Sequence, residues 1–175
     1  MTREQLEHAI RAAGAISGDR ELYVVGSQAI LGACPDAHAE LLRSLEVDIA
    51  PKNHPELEAL IEGSIGELSP FHQTFGFYVD GVDLAAIVLP DGWGARVIVV
   101  DTPNTNGFRG LCLEPANLAV SKLAAARPKD IEFVRVLLRE HVVAPDTLRT
   151  RAEAVSSLDS ARKLQLQELV ARLTP

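Results

Sequence analysis

The chain has 175 residues, 47% hydrophobic and 23% charged, enough for one domain with a real core and too few for two ordinary domains; this composition excludes a disordered chain. A formal net charge of -7 and a pI near 5.2 exclude a general attraction to nucleic acid or anionic membrane, so a polyanion would need a local basic patch. Cys34 and Cys112 stand far apart and outside any C-x-x-C spacing, which excludes a disulfide scaffold and a zinc site and predicts buried free thiols.

Along the chain, Leu6, Ala9, Ile10 and Ala13 follow Thr2 at helical spacing and predict a capped first helix ending near Gly14. The N-terminus lacks a signal-type apolar stretch and no window reaches membrane-span length, which predicts a cytoplasmic protein. "ELYVVGSQAILGAC" reads as a short strand over Leu22 to Val25, a break at Gly26-Ser27, and a helix start over Gln28 to Ala33. A short amphipathic piece at Glu40 to Leu42 precedes "SLEVDIAP", a strand in which Glu46 and Asp48 look one way while Leu45, Val47 and Ile49 look the other.

"HPELEALIEGSIG" predicts a helix with Leu57, Leu60, Ile61 and Ile65 on one side. "TFGFYVDGVDLAAIVL" reads as a β-hairpin about Asp80-Gly81, followed by the turn "PDGWG", in which Trp93 is a packing anchor, and the strand "ARVIVVD". The sheet then has four or five strands. From Glu114 onward the pattern is helical, interrupted at Pro128, with two further helices in "APDTLRTRAEAVSS" and "SARKLQLQELVARL". His38, His54, His72 and His141 lack metal-ligand spacing.

Three constellations carry chemistry, and each has an ordinary structural reading. Gly26-Ser27 at a strand-to-helix junction suits a phosphate cradle, or is a turn with a cap serine. Glu46 and Asp48 put two like charges on one strand face and ask for a partner; hard oxygen ligands open to solvent suit Mg2+, which takes one or two protein carboxylates and fills its other positions with water and phosphate. The alternative is an edge strand with solvated acids. Ser121-Lys122 with Arg127, Lys129 and Asp130 is a basic helical segment, or a solvated face with salt bridges.

The order of these elements resembles the nucleotidyltransferase superfamily in its minimal form, G-S followed by [DE]-h-[DE]-h, and more closely its AbiEii-like toxin and DUF6036 branch. "YVVGSQAILGA", "RSLEVDIAP", "LPDGWGARV" and "LEPANLAVSKLAAARPKDIEFV" carry the likeness over residues 20 to 140. The resemblance implies an α/β fold: a polymerase β-like core with a short mixed sheet flanked by helices over residues 1–110, and C-terminal helices over 111–175 packed on it as a single compact unit. It implies that Gly26 and Ser27 hold the triphosphate of an NTP, that Glu46 and Asp48 hold Mg2+ and act in catalysis, that Lys122 binds a phosphate, and that Asp130 closes the K...D helix motif. The first carboxylate is Glu where Asp is commoner, and Asp83, on the second arm of the hairpin, is the candidate third metal ligand.

The implied reaction is NMP transfer to a hydroxyl: an RNA 3′ end, as in the toxin-like branch, or a protein or small-molecule hydroxyl. Arg43, Lys52, Arg96, Arg109, Arg127 and Lys129 are the candidates for an RNA-binding patch, and a cognate antitoxin protein is an implied partner. A catalytically degenerate binding or regulatory module is the alternative from another class, and an unrelated α/β domain with surface acids is a third.

Overall fold

Thr2 caps α1 (Arg3–Ser17) in the computed structural model, which describes residues 1–174: its hydroxyl accepts from the Gln5 N–H while the Gln5 side chain returns to the Thr2 N–H. The helix passes the end expected at Gly14 and stops at Gly18, which has a positive φ of 67°. Gly14 serves packing instead, since a Cβ there would lie 2.3 Å from the Phe108 ring.

The chain divides into two compact units, Met1–Leu84 with Val97–Leu113, and Ala85–Arg96 with the segment from Glu114 onward. The first holds a five-stranded mixed sheet of β1 (Glu21–Val24), β2 (Glu46–Pro51), β3 (Tyr78–Gly81), β4 (Ile98–Val100) and β5 (Arg109–Cys112), in the order β3-β2-β1-β5-β4. β1 pairs antiparallel with β2 and parallel with β5; β2 pairs parallel with β3, and β4 antiparallel with β5. Helices α2 (Ile30–Ala33), α3 (Glu58–Ile65) and α4 (Pro70–Phe75) complete this unit. Its core gathers Leu6 and Ile10 of α1, Leu22 and Val24 of β1, Val47 and Ile49 of β2, and Val79 of β3, all fully buried. The fold is α/β, as the resemblance implies.

Three local expectations are corrected. No hairpin forms at Asp80-Gly81: both residues lie in β3, in register with Asp48 and Ile49, and the Val82 N–H continues the ladder onto the Ile49 carbonyl. A parallel partner needs a crossover, which α3 and α4 supply. Leu45 precedes β2 and is 53% exposed, and Leu60 is 50% exposed, so only Ile61 and Ile65 of the expected α3 stripe are buried. The interior strand β5 is not among the expected elements, because four residues with a glycine show too little periodicity.

In the second unit, α5 (Pro115–Ala125) packs against α6 (Pro128–Arg139), α7 (Pro145–Glu153) and α8 (Ser160–Leu173). Leu118, Leu123, Val134, Leu137 and Leu148 are buried there. α5 does not run through Pro128: Ala126 takes the left-handed conformation at φ 53° and Pro128 opens α6 at its first position. Cys34 and Cys112 are free, Cys112 buried and Cys34 half-buried.

Asp19, 2% exposed, fastens the loop after β2 to the entry of β1. Its carboxylate accepts from the backbone N–H groups of Asn53 (2.6 Å), His54 (3.2 Å) and Glu21 (3.0 Å), and from the Asn53 amide (2.8 Å). Burial alone would raise its pKa, yet these four donors outweigh burial and hold it below the usual range. A depressed carboxylate stabilises fully above its unfolded pKa, about 4, and that stability is lost as pH falls through the lowered folded value. Asp19→Ala is expected to cost about 2–3 kcal/mol at pH 7 and less at pH 3, checked by urea unfolding at both. Equal losses at the two pH values would contradict the assignment.

Candidate active site

The site begins with the alternation along β2. Val47 and Ile49 are fully buried, while Glu46 and Asp48 between them are half-buried on the opposite face. Parallel pairing sets Glu46 beside Tyr78 and Asp48 beside Asp80. Paired residues of neighbouring strands point to the same side, so Glu46, Asp48, Tyr78 and Asp80 share one face. Gly26 closes against it: a Cβ there would lie 1.5 Å from Asp48 Oδ2, so Gly26, two positions past the end of β1, must lack a side chain for the Asp48 carboxylate to keep its position. The Val25 N–H donates to the Asp48 carbonyl at 3.1 Å and ties that junction to β2.

Sharing the face has an electrostatic cost. Burial first, then the charges of Asp48, Glu46, Glu62 and Glu67, push the Asp80 carboxyl up to about 6. Burial first, then the charges of Glu46, Asp80 and Glu67, push the Tyr78 phenol up to about 12, and its hydroxyl donates to Glu46 Oε2 at 3.3 Å. A divalent cation fits this donor set, because it supplies the positive charge that crowded carboxylates call for. Among the described residues, no three His, Cys, Asp or Glu side chains form a finished cage. Mg2+ does not need one, as it takes one or two carboxylates and keeps water and phosphate oxygens for the rest.

The Gly26-Ser27 junction has the expected order of strand, turn and helix. Gly26 is extended, Ser27–Ala29 forms a 3-10 turn, and α2 follows directly. Ser27 is half-buried and Gln28 beside it is fully buried, its amide donating to the Ser44 carbonyl at 3.3 Å. Arg3 of α1 donates to the Leu31 carbonyl at 2.5 Å and holds the end of α2.

Asp83, the expected third ligand, lies beyond the end of β3 and is exposed. Asp80, which the expected hairpin would place in its turn, holds the in-register position facing Asp48. The signal was present in "YVDG": a carboxylate at period two within a β-rich run, like Glu46 and Asp48 in β2. In the second unit, the Lys122 amine lies 3.4 Å from Asp130 Oδ1, and Arg127 Nε lies 2.5 Å from Asp130 Oδ2. Breaking the helix between them is what lets the two motif residues face each other.

The proposed basic patch resolves into separate pairings. Lys52 (2.6 Å) and Arg109 (3.1 Å) both meet Glu21, and Arg43 lies 3.8 Å from Glu40. Arg96 donates to the Asp91 carbonyl at 2.9 Å and to Asn117 Oδ1 at 3.3 Å.

A short mixed sheet with G-S after its first strand, an acid-x-acid strand beside it and a further carboxylate in register on the next defines a nucleotidyltransferase-like core. No curated protein and no solved structure matches the chain significantly. A family model does, over residues 4–173, and the chain belongs to that family, described as "Nucleotidyltransferase of unknown function (DUF6036)". No helix among the described residues is long and apolar enough to cross a membrane.

Proposed function

We propose metal-dependent transfer of NMP from an NTP to a hydroxyl acceptor. The observation that carries this reading is the in-register pairing of Asp48 with Asp80 beside the backbone of Gly26. Glu46, Asp48 and Asp80 would hold one or two Mg2+ ions, each taking one or two of these carboxylates, with Asp80 in the place first given to Asp83. The cation, when bound, polarises the phosphoryl oxygens and lowers the pKa of a hydroxyl. Gly26 and Ser27 bind the triphosphate, and Lys122, whose amine lies 3.4 Å from Asp130 Oδ1, is the residue that the resemblance assigns to a phosphate. The acceptor oxygen attacks the α-phosphorus, the bond to the β-phosphate oxygen breaks, pyrophosphate leaves and Asp80 receives the hydroxyl proton. Free cysteines go with a cytoplasmic setting.

The test is a screen of the four labelled NTPs with Mg2+ against total RNA and the protein itself. Label on RNA selects the toxin-like acceptor; label on protein selects a protein hydroxyl. Binding of NTP without transfer supports a binding or regulatory module, a reading that the engagement of Lys122 by Asp130 favours. Binding of neither Mg2+ nor NTP overturns both readings. Ser27→Ala is expected to weaken NTP binding about tenfold, by loss of one hydrogen bond to a charged group, with unfolding stability unchanged. Titration of each NTP and thermal unfolding check the two halves.

A further inference from the structure

The first carboxylate of the site is a glutamate, whose side chain has one more rotatable bond than aspartate and must be held in place to ligate productively. The neighbouring strand places a donor beside it. Tyr78 is the register partner of Glu46, and its hydroxyl lies 3.3 Å from Glu46 Oε2. The phenol is itself held. The backbone N–H of Tyr78 donates to the Leu45 carbonyl at 3.0 Å, and its ring centroid lies 4.8 Å from that of His72. His72 is anchored in turn, accepting from the Leu68 N–H at Nδ1 (3.1 Å) and donating its own N–H to Ser69 Oγ (3.2 Å).

We propose that Tyr78 is a positioning residue, whose hydroxyl, fixed by the His72 ring, steers the long Glu46 side chain into the orientation from which it binds a divalent cation. The inference rests on the metal reading of Glu46 and goes beyond it by assigning a residue that touches neither metal nor nucleotide. A contact of 3.3 Å is long for O–H···O, so the effect is moderate. The competing account, in which Tyr78 only packs on His72, predicts no link between its hydroxyl and the length of residue 46.

Mn2+ alone, titrated into the full chain and followed by the EPR signal of the free ion, reads the proposal. Tyr78→Phe keeps the ring and removes only the hydroxyl; it is expected to weaken Mn2+ binding about fivefold, with the thermal unfolding midpoint unchanged. In a Glu46→Asp background the carboxylate is withdrawn from the phenol, and Tyr78→Phe is then expected to change binding less than twofold. Wild-type affinity in Tyr78→Phe, or the same loss in both backgrounds, overturns the assignment while leaving the metal reading in place. Absence of Mn2+ binding by the wild type, or binding undiminished in a Glu46→Gln, Asp48→Asn double variant, overturns the metal reading and the positioning role with it.

Discussion

Asp80→Asn is expected to abolish NMP transfer and, at the same time, to make the metal-free protein more stable at neutral pH. The loss of activity is at least about a thousandfold, because Asp80 helps to hold the cation, which supplies several kcal/mol of charge stabilisation in the transition state, and takes the proton of the attacking hydroxyl. The gain in stability follows from the raised pKa. Its carboxyl titrates near 6 in the fold, against about 4 in an unfolded chain. Between these values the folded state binds more protons, so stability falls as pH rises through that window, and the full penalty is present at pH 7 and above. Allowing for screening at a half-buried site, the penalty is about 1–2 kcal/mol. Urea unfolding at pH 8 should therefore favour Asp80→Asn, and the advantage should disappear below pH 4. Mg2+ should stabilise the wild type and not the variant. A variant destabilised at pH 8 would show that Asp80 is held by favourable partners and is not part of a crowded acid site.

Asp130→Ala is expected to produce the largest loss of stability, about 3 kcal/mol, by leaving the largely buried Lys122 amine without its acid. Asp130 is 1% exposed and the Lys122 side chain only 13%, so water can replace little of what is lost. The Phe133 ring, 5.6 Å from the Lys122 amine, offers a weaker partner. Burial works to raise the Asp130 pKa, but hydrogen bonds from Arg127 and the charge of Lys122 outweigh it and hold the carboxyl low. Its contribution is thus complete above the unfolded pKa and is lost as pH falls through the lowered folded value. Replacing the lysine as well, in Lys122→Met with Asp130→Ala, should recover part of the loss, since no buried ammonium remains. Thermal unfolding of the two single variants and the double variant closes the cycle, and strict additivity would contradict the pairing. The same variants separate structure from chemistry: Lys122→Met, in which Asp130 keeps its Arg127 partner, is expected to lose transfer while keeping the fold.

The parts legible in the sequence are those whose signal is local. Thr2 and Gln5 make a capping box within one turn, the alternation of Glu46, Val47, Asp48 and Ile49 fixes two faces within one strand, and Gly26-Ser27 marks the break between a strand and the turn that follows it. The helices after Glu114 carry their 3.6-residue period over nine to fourteen residues, enough to separate them at Pro128 and beyond. Tertiary structure decided what depends on partners distant in the chain. Asp80 became a site residue only through the parallel register of β3 on β2, which joins positions thirty-two apart and which no local pattern encodes. The dipeptide Asp80-Gly81 satisfies a turn as well as a strand end, and the ladder to Ile49 chose between them. β5 is a strand because β1 and β4 flank it, although its own residues show little alternation. Lys122 and Asp130 meet because the chain reverses at Ala126, a left-handed turn at a non-glycine residue that propensity alone does not reveal.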